Sequence, residues 1–547
     1  MFQDLQQLDQ TTIEADLCII GSGPAGISIA LAFAGKPIRV CLLESGGFDL
    51  EKRTQSLCKG EVAGLPYWRP LEEVRYRYFG GSTSNWGAWL APLNEIDFHA
   101  REWIPSSGWP LSFADLEPYY ARAHLLFRAT DSTYDPDNVG FEPDALLKIS
   151  NEGLVHRLWN FGAPARFAGL YRRPLACADN VRVILHANVT ELQTDAAGQI
   201  ITCVNVATLD GKRSNVRATL FVLAAGGLEV PRILLLSHTP DGVGIGNRHD
   251  LVGRFFMEHP HVNIGKVVLT GDRRWVKNYQ LRRIGRRVVR PHLCLSEQKQ
   301  RELQLVNCSC SLDPPCEENT SYAALRRLKK AIMDPFENGN ILRDLALAVA
   351  NPLDVAYGLY SKVVGSRYIP RRRAPREILL RARVEQTPIP ESRLTLSEKR
   401  DELGLNLIRL DWRMAGIERD TMRVMGQLIA DEFETLGLGE VHLATWLRSN
   451  EPEWPDDLWG GPHHMGTTRM NDDPTRGVVD RNSRVHGLKN LFIAGSSVFP
   501  TAGYANPTLT IVALAVRLAN HLEVLLTHTS SLSHVPVDTA GTRIRAS

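Results

Sequence analysis

The first constraints come from what this sequence lacks. It lacks a charge surplus: 63 Lys and Arg face 61 Asp and Glu, a net of +2. Such balance removes the broad positive field of a general nucleic-acid binder and implies a substrate that need not be strongly charged. It also lacks paired cysteines. The nine (Cys18, Cys41, Cys58, Cys177, Cys203, Cys294, Cys308, Cys310, Cys316) are scattered with no CxxC pair, which argues against a disulfide framework or zinc site and fits a reducing compartment. Met1 to Ala15 is polar and acidic, without a basic leader, an apolar core or a twin arginine, so the expectation is a cytoplasmic protein. Nor is there an uninterrupted apolar run. The most apolar helical stretch, Leu509 to Leu526, is broken by Arg517, Asn520, His521 and Glu523, and no membrane span is expected.

What is present begins with length. At 547 residues the chain exceeds what one hydrophobic core usually fills, so two or more domains are expected. Asp16–Ile20 reads as a buried strand, Ile27–Ala34 as a helix and Ile38–Leu43 as a second strand. Ser112–Leu116 resembles a capped helix start. Further strand patterns fall at Val181–Leu185, Ile200–Val206 and Leu220–Ala224. Beyond about Phe255 the pattern changes to alternating segments at Val384–Gln386, Arg393–Ser397 and Leu405–Asp411, read as an antiparallel sheet carrying the substrate site. The last part returns to Gly-rich loops, a strand at Leu491–Ala494 and one long helix. Residues 1–96, 177–260 and 455–526 are therefore expected to build one discontinuous domain. Residues 97–176 and 261–454 would build a second, with a variable insertion at about 320–380. Residues 527–547 read as a disordered tail.

Gly21-Ser22-Gly23-Pro24-Ala25-Gly26 follows a strand and opens a helix, the context a dinucleotide fingerprint requires. The first glycine permits the tight turn, the second lets a pyrophosphate approach the backbone, and the third allows close helix–strand packing. Free N–H groups and the helix dipole favour the phosphate charge. Glu44 closes the second strand, where a carboxylate can accept from ribose hydroxyls. These residues alone do not separate FAD from NAD.

Two further blocks do. Gly80-Gly81-Ser82-Thr83-Ser84-Asn85-Trp86-Gly87 follows the fingerprint, and near the carboxyl end come His463-His464-Met465-Gly466-Thr467, Asn490 to Ser496, Pro500-Thr501 and Tyr504-Ala505-Asn506-Pro507-Thr508-Leu509-Thr510. In this order they resemble the glucose–methanol–choline (GMC) oxidoreductase family, in motif style its pyranose oxidase and bacterial sugar dehydrogenase branch. The resemblance implies an α/β FAD-binding Rossmann-type domain, related to that of glutathione reductase, joined to an α+β domain with an antiparallel substrate sheet. It implies FAD contacts at Gly21, Gly23, Pro24, Ala25, Gly26, Glu44, Gly80, Gly81, Ser82, Ser84, Asn85, Trp86, Val189, Ala225, Gly495, Ser496, Asn506, Pro507 and Thr508. Pyranose oxidases place a flavin-linking histidine where this chain has Asn85, so the FAD is expected to be non-covalent. The family's usual aspartate in the last strand is replaced by Gly495.

Oxidising an alcohol requires a base for the hydroxyl proton and an acceptor, flavin N5, for the hydride. A histidine near neutral pKa suits the first task, and the resemblance assigns it to His463, with Asn506 donating to the substrate oxygen as charge develops. The helix after Pro507 would aim its positive end at the flavin. His464, pointing the other way in an extended segment, is expected to be structural. Glu258-His259-Pro260-His261 has a metal-like look but no third ligand, and reads as a turn. Glu385 and Gln386 are candidate substrate contacts. The Arg-rich stretches Arg282–Arg290 and Arg367–Arg383 read as solvated faces, and the apolar segment Ile341–Val364 as a lid or as a surface for an electron acceptor, a partner subunit or a second copy. The expected activity is oxidation of a sugar or glycoside hydroxyl, passing electrons to O2 or another acceptor. Alternatives are a polyol or natural-product alcohol, a redox-silent lyase of the same fold, and a flavin monooxygenase.

Overall fold

The computed structural model describes residues 1–129, 133–142, 145–162, 166–315, 320–333, 340–363, 375–448 and 453–532. Its first layer is a six-stranded parallel sheet in the order Phe2–Asp4, Val181–Leu185, Val40–Leu43, Leu17–Ile20, Leu220–Leu223 and Leu491–Ile493. The three central strands are fully buried apolar runs, the composition expected when both faces of a parallel sheet are covered. Register aligns their carboxyl ends: Ile20 lies beside Leu43 and Leu223, and Leu223 beside Ile493. Loops from the amino-terminal, middle and carboxy-terminal parts of the chain thus leave one sheet edge together, where open α/β sheets bind ligands.

The helix Pro24–Phe33 covers one face of this sheet and packs against the long helix Thr508–Leu532, which also packs on Phe113–Leu126. The helix Phe113–Leu126 begins at a capping box in which Ser112 and Asp115 satisfy each other's backbone N–H groups. By length and composition Thr508–His528 could cross a membrane. In this fold it is a core element, with Leu509, Val512, Ala515 and Leu522 buried. The polar residues that interrupt it bond to neighbours: Arg517 to the Arg481 carbonyl at 2.7 Å, Asn520 from Arg122 at 3.2 Å, and Glu523 to Lys36 at 2.7 Å. The helix continues to Leu532, six residues into the stretch read as a disordered tail.

The second layer is a nine-stranded antiparallel sheet. Its main path runs Gly439–Leu443, Pro260–Leu269, Glu377–Val384, Cys308–Asp313, Arg287–Leu295, Leu154–Phe161 and Trp89–Leu90. One face packs on the helix Ile417–Thr435, through Met422, Met425, Ile429 and Phe433. The other face turns towards the nucleotide edge of the first sheet. Of the three alternating segments read as one antiparallel sheet, only the first lies here. Arg393–Arg400 and Asn406–Trp412 form a separate three-stranded sheet, in which the latter pairs parallel with Gly60–Gly64. Alternation announces one buried face but not its partner. Here Leu394, Ile408, Leu410 and Trp412 pack on Leu71, Val74 and Phe256.

The apolar segment around residue 350 is two helices, Ile341–Ala350 and Pro352–Val363, with Leu342, Val349 and Leu353 exposed. Arg371, Arg372 and Arg373 lie outside the described residues.

Candidate active site

A cavity of about 1270 Å³ extends from the nucleotide edge to the open face of the antiparallel sheet. At the nucleotide end the glycines hold the backbones together. Gly21 has φ +105°, and a Cβ there would lie 2.7 Å from the Ala224 carbonyl oxygen; a Cβ on Gly26 would strike the Gly21 carbonyl oxygen. The Gly80 block docks directly on this turn. Gly80 N–H donates to the Ser22 carbonyl at 3.0 Å, and a Cβ on Gly81 would sit 3.2 Å from the Gly23 Cα. Glu44 is buried and accepts from the N–H groups of Ser22 at 3.2 Å and Gly46 at 3.0 Å. Of the expected cofactor positions, all but Gly26, Gly80 and Ser84 line the cavity. Those three shape the cradle from behind, and the buried Ser84 Oγ has no hydrogen-bond partner.

This floor fits FAD. No atom lies within 4 Å of a Cβ built on Gly23 or Gly495, so the backbone is open to a close ligand there. The Pro24–Phe33 helix starts with no side-chain cap, leaving its first N–H groups for a pyrophosphate. The carboxylate of Glu44 reaches the same space for a ribose diol. Asn85 lines the same space.

At the opposite end, His463 and Asn506 come together. His463 Nε2 lies 3.2 Å from Asn506 Nδ2, and His463 Nδ1 lies 2.8 Å from His259 Nδ1. The proton on each atom follows from its neighbours. Asn506 Oδ1 accepts from Trp159 Nε1 at 3.1 Å and from Arg383 Nη1 at 2.6 Å, which fixes the amide and turns Nδ2 towards His463. His259 Nε2 faces the Ala502 carbonyl at 3.3 Å; a carbonyl only accepts, so that nitrogen carries hydrogen. Neutral His259 then accepts at Nδ1 from His463 Nδ1–H, and His463 Nε2 keeps its lone pair. Burial pushes the pKa of His463 well below the ordinary imidazole value, helped by His259 and Arg383. Burial and Arg383 push His259 down to about 3. Both rings are neutral.

Glu258 holds this loop. Its buried carboxylate accepts from His463 N–H at 2.9 Å, Gly461 N–H at 3.1 Å, His259 N–H at 3.2 Å and the Tyr67 hydroxyl. Burial raises it to about 7 against the pull of those donors. His464 points away from its neighbour: its Nε2 is 3.1 Å from the Tyr67 hydroxyl and 3.6 Å from Glu258. Thus Glu258-His259-Pro260-His261, read as a turn, supports the His463 ring and its loop.

Two expected substrate contacts are elsewhere. Glu385 is fully buried in a two-pronged pair with Arg101, at 2.8 and 2.5 Å, and also accepts from Asn307 N–H at 3.0 Å. Gln386 is buried with its amide satisfied: Oε1 accepts from Glu258 N–H and Trp412 Nε1, and Nε2 donates to the Phe256 and Arg413 carbonyls. Neither lines the cavity; both brace its walls. Conversely, Arg290 and Arg383, read as parts of solvated faces, do line it. Arg383 lies directly opposite His261 across the sheet, and its Nε donates to His261 Nε2 at 3.0 Å. Burial and Arg290 lower its pKa to about 10. His292 shares that wall, its ring 4.1 Å from Trp159, and both its nitrogens are buried without a partner. The period-two spacing of Arg381 and Arg383 carried the signal that one strand face was basic; nothing in the sequence marked that face as the cavity.

Residues 388–515 match the family model described as GMC oxidoreductase, and residues 16–241 match that described as FAD dependent oxidoreductase. The chain is 23% identical to the fructose dehydrogenase large subunit of Gluconobacter japonicus, over 94% of this chain and 98% of that protein. A short segment, 11% of this chain and 12% of its counterpart, is 51% identical to a C-glycoside 3-oxidase of Microbacterium trichothecenolyticum. Among solved structures, pyridoxine 4-oxidase from "Mesorbium loti" superposes with a TM-score of 0.52 at 16% identity, covering 93% of this chain and 99% of that one. That last likeness speaks to the fold.

Proposed function

This chain is a GMC oxidoreductase, FAD-dependent and acting on alcohol or sugar-type substrates, and within that class we propose that it oxidises a secondary hydroxyl of a sugar or glycoside to the ketone, with His463 as base. The observation that carries this reading is the lone pair left on His463 Nε2 at the cavity wall by the fixed sequence Asn506, His463, His259, Ala502. FAD, when bound, supplies the hydride acceptor at N5.

The remaining work belongs to this chain's own groups. His463 Nε2 takes the hydroxyl proton. Asn506 Nδ2, which now donates to that nitrogen, is placed to donate to the substrate oxygen instead. Arg383, 2.6 Å from the Asn506 oxygen, holds a positive charge beside the oxygen as it becomes negative, the stage at which preorganised charge counts. Trp89, which lines the cavity beside that guanidinium, gives the wall a flat apolar surface against which a sugar ring packs. With Asn85 at the wall, the cofactor is held by contacts alone. The similarity to a fructose dehydrogenase subunit and a C-glycoside oxidase supports the carbohydrate assignment.

The test is His463→Ala. The variant should keep its yellow, bound FAD and lose roughly 10²- to 10⁴-fold in anaerobic flavin reduction by substrate, the usual contribution of a positioned base. Near-normal reduction by that variant would remove His463 from the role. A panel of sugars, glycosides, polyols and simple alcohols, scored by flavin bleaching, tests the substrate class.

A further inference from the structure

The overall charge of +2 conceals a local asymmetry. At the nucleotide end of the cavity three buried guanidiniums are paired with acids: Arg75, Arg77 and Arg232 with Glu229, and Arg232 also with Asp401. At the other end, the described lining residues contributed by the antiparallel sheet and the helix Ser321–Met333 include Arg290, Arg326, Lys329, Arg381 and Arg383, against the single carboxylate of Asp313. Asp313 is already shared, in close contact with Arg290 and 3.9 Å from Arg381. Arg383 has no carboxylate among the described residues; its partners are an amide oxygen and a neutral imidazole.

Cations gathered at one end of a cavity repel one another, and the innermost, Arg383, also loses hydration. Their surplus is offset when a ligand brings the missing negative charge. The distribution along the strand is informative. Arg383 touches the catalytic pair, whereas Arg381 lies two residues away on the same face, about 6.6 Å along the strand, and Arg326 and Lys329 stand at the exposed rim. That interval is on the scale of one sugar ring with its exocyclic group. His292, two strands over, belongs to the same wall.

We infer that the substrate carries an anionic oxygen group, a carboxylate or a phosphate, held by Arg381, Arg326 and Lys329 while the hydroxyl to be oxidised meets His463, Asn506 and Arg383. This deepens the sugar reading above and rests on it: the implied class is a uronic acid, uronide or sugar phosphate.

The test uses the holoenzyme and six probes in calorimetric titration and anaerobic flavin reduction: methyl β-D-glucuronide, methyl β-D-glucoside, glucose, glucose 6-phosphate, glycerate and glycerol. An anionic probe should bind about tenfold or more tighter than its neutral partner, and the ratio should shrink as salt screens it. The glucuronide and phosphate arms separate the two anions. Arg381→Gln should narrow the ratio and Arg381→Lys should keep most of it. A neutral sugar binding as well as its anion, a preference indifferent to salt or to Arg381→Gln, or no binding by any sugar probe with glycerate no better than glycerol, would overturn the inference. Glycerate exceeding glycerol while no sugar acts would instead sink the sugar reading and leave the anionic site standing.

Discussion

His463 and His259 meet through their Nδ1 atoms at 2.8 Å, with the ring planes 77° apart. Two neutral imidazoles can share such a contact only if one donates and the other accepts, and the Ala502 carbonyl at His259 Nε2 decides which. His259 therefore serves the reaction without touching the reactant: it fixes the tautomer of the base and receives the hydrogen bond that strengthens when His463 becomes positive. It is a positioning residue, of the kind that a carboxylate supplies in other base pairs.

The consequence is testable by shape. An asparagine can place its side-chain oxygen near the position of the His259 Nδ1, whereas leucine offers no acceptor. His259→Leu should lower the rate of flavin reduction by roughly 10²-fold, the scale of a small misplacement at a reacting centre, with little change in substrate dissociation constant. His259→Asn should restore much of it. Equal loss in both variants would mean that His259 only fills space.

A second expectation concerns pH. The base acts as neutral imidazole, and burial holds the pKa of His463 well below its ordinary value. Protonation, which removes activity, must then occur at lower pH than for a free histidine. The acidic limb of flavin reduction should lie below about pH 6.5 and should vanish in the residual activity of His463→Ala. A limb at or above that pH, belonging to His463, would show that its surroundings favour the cation.

Much of this was legible in the sequence, for a physical reason. The cofactor positions depend on backbone requirements, such as the close approach at Gly26 and the positive φ of Gly21 and Gly80, and only glycine meets them cheaply. They therefore leave a fixed signature. The supports of the base do not. Glu258 and His259 are ordinary residues until the topology brings Gly461 and His463 against them. Arg383 reads as one arginine of a basic stretch until strand register sets it across from His261. Glu385 shows the reverse error: a carboxylate in a strand near the expected site looked like a ligand for hydroxyls, but Arg101, 284 residues away in sequence, claims both its oxygens.

That pair gives a third prediction. Arg101 and Glu385 have side-chain exposures of 0% and 1%, so removing one charge strands the other in a medium that solvates it poorly. Glu385→Gln should destabilise the protein by about 3–5 kcal/mol, seen as a lower midpoint in denaturant. Substrate affinity and the oxidised product should be those of the parent enzyme. A changed substrate preference with unaltered stability would return Glu385 to the binding site.

The last prediction turns on His292, whose nitrogens have no partner and whose ring lies against Trp159. Burial, with Arg290 and Arg383 nearby, pushes its pKa well below the ordinary value. The folded state therefore binds fewer protons at this position than the unfolded state once the pH drops below about 6.5. A group depressed in this way contributes stability that is present above the unfolded pKa and is lost as pH falls. His292→Phe keeps a flat ring against Trp159 but cannot titrate. Measured against the parent protein, its melting temperature should gain steadily between about pH 7.5 and pH 5, whatever the offset at the start. A difference in melting temperature that stays constant with pH would mean that His292 is protonated as readily in the folded protein as outside it, and that the wall of the cavity is far wetter than its packing implies.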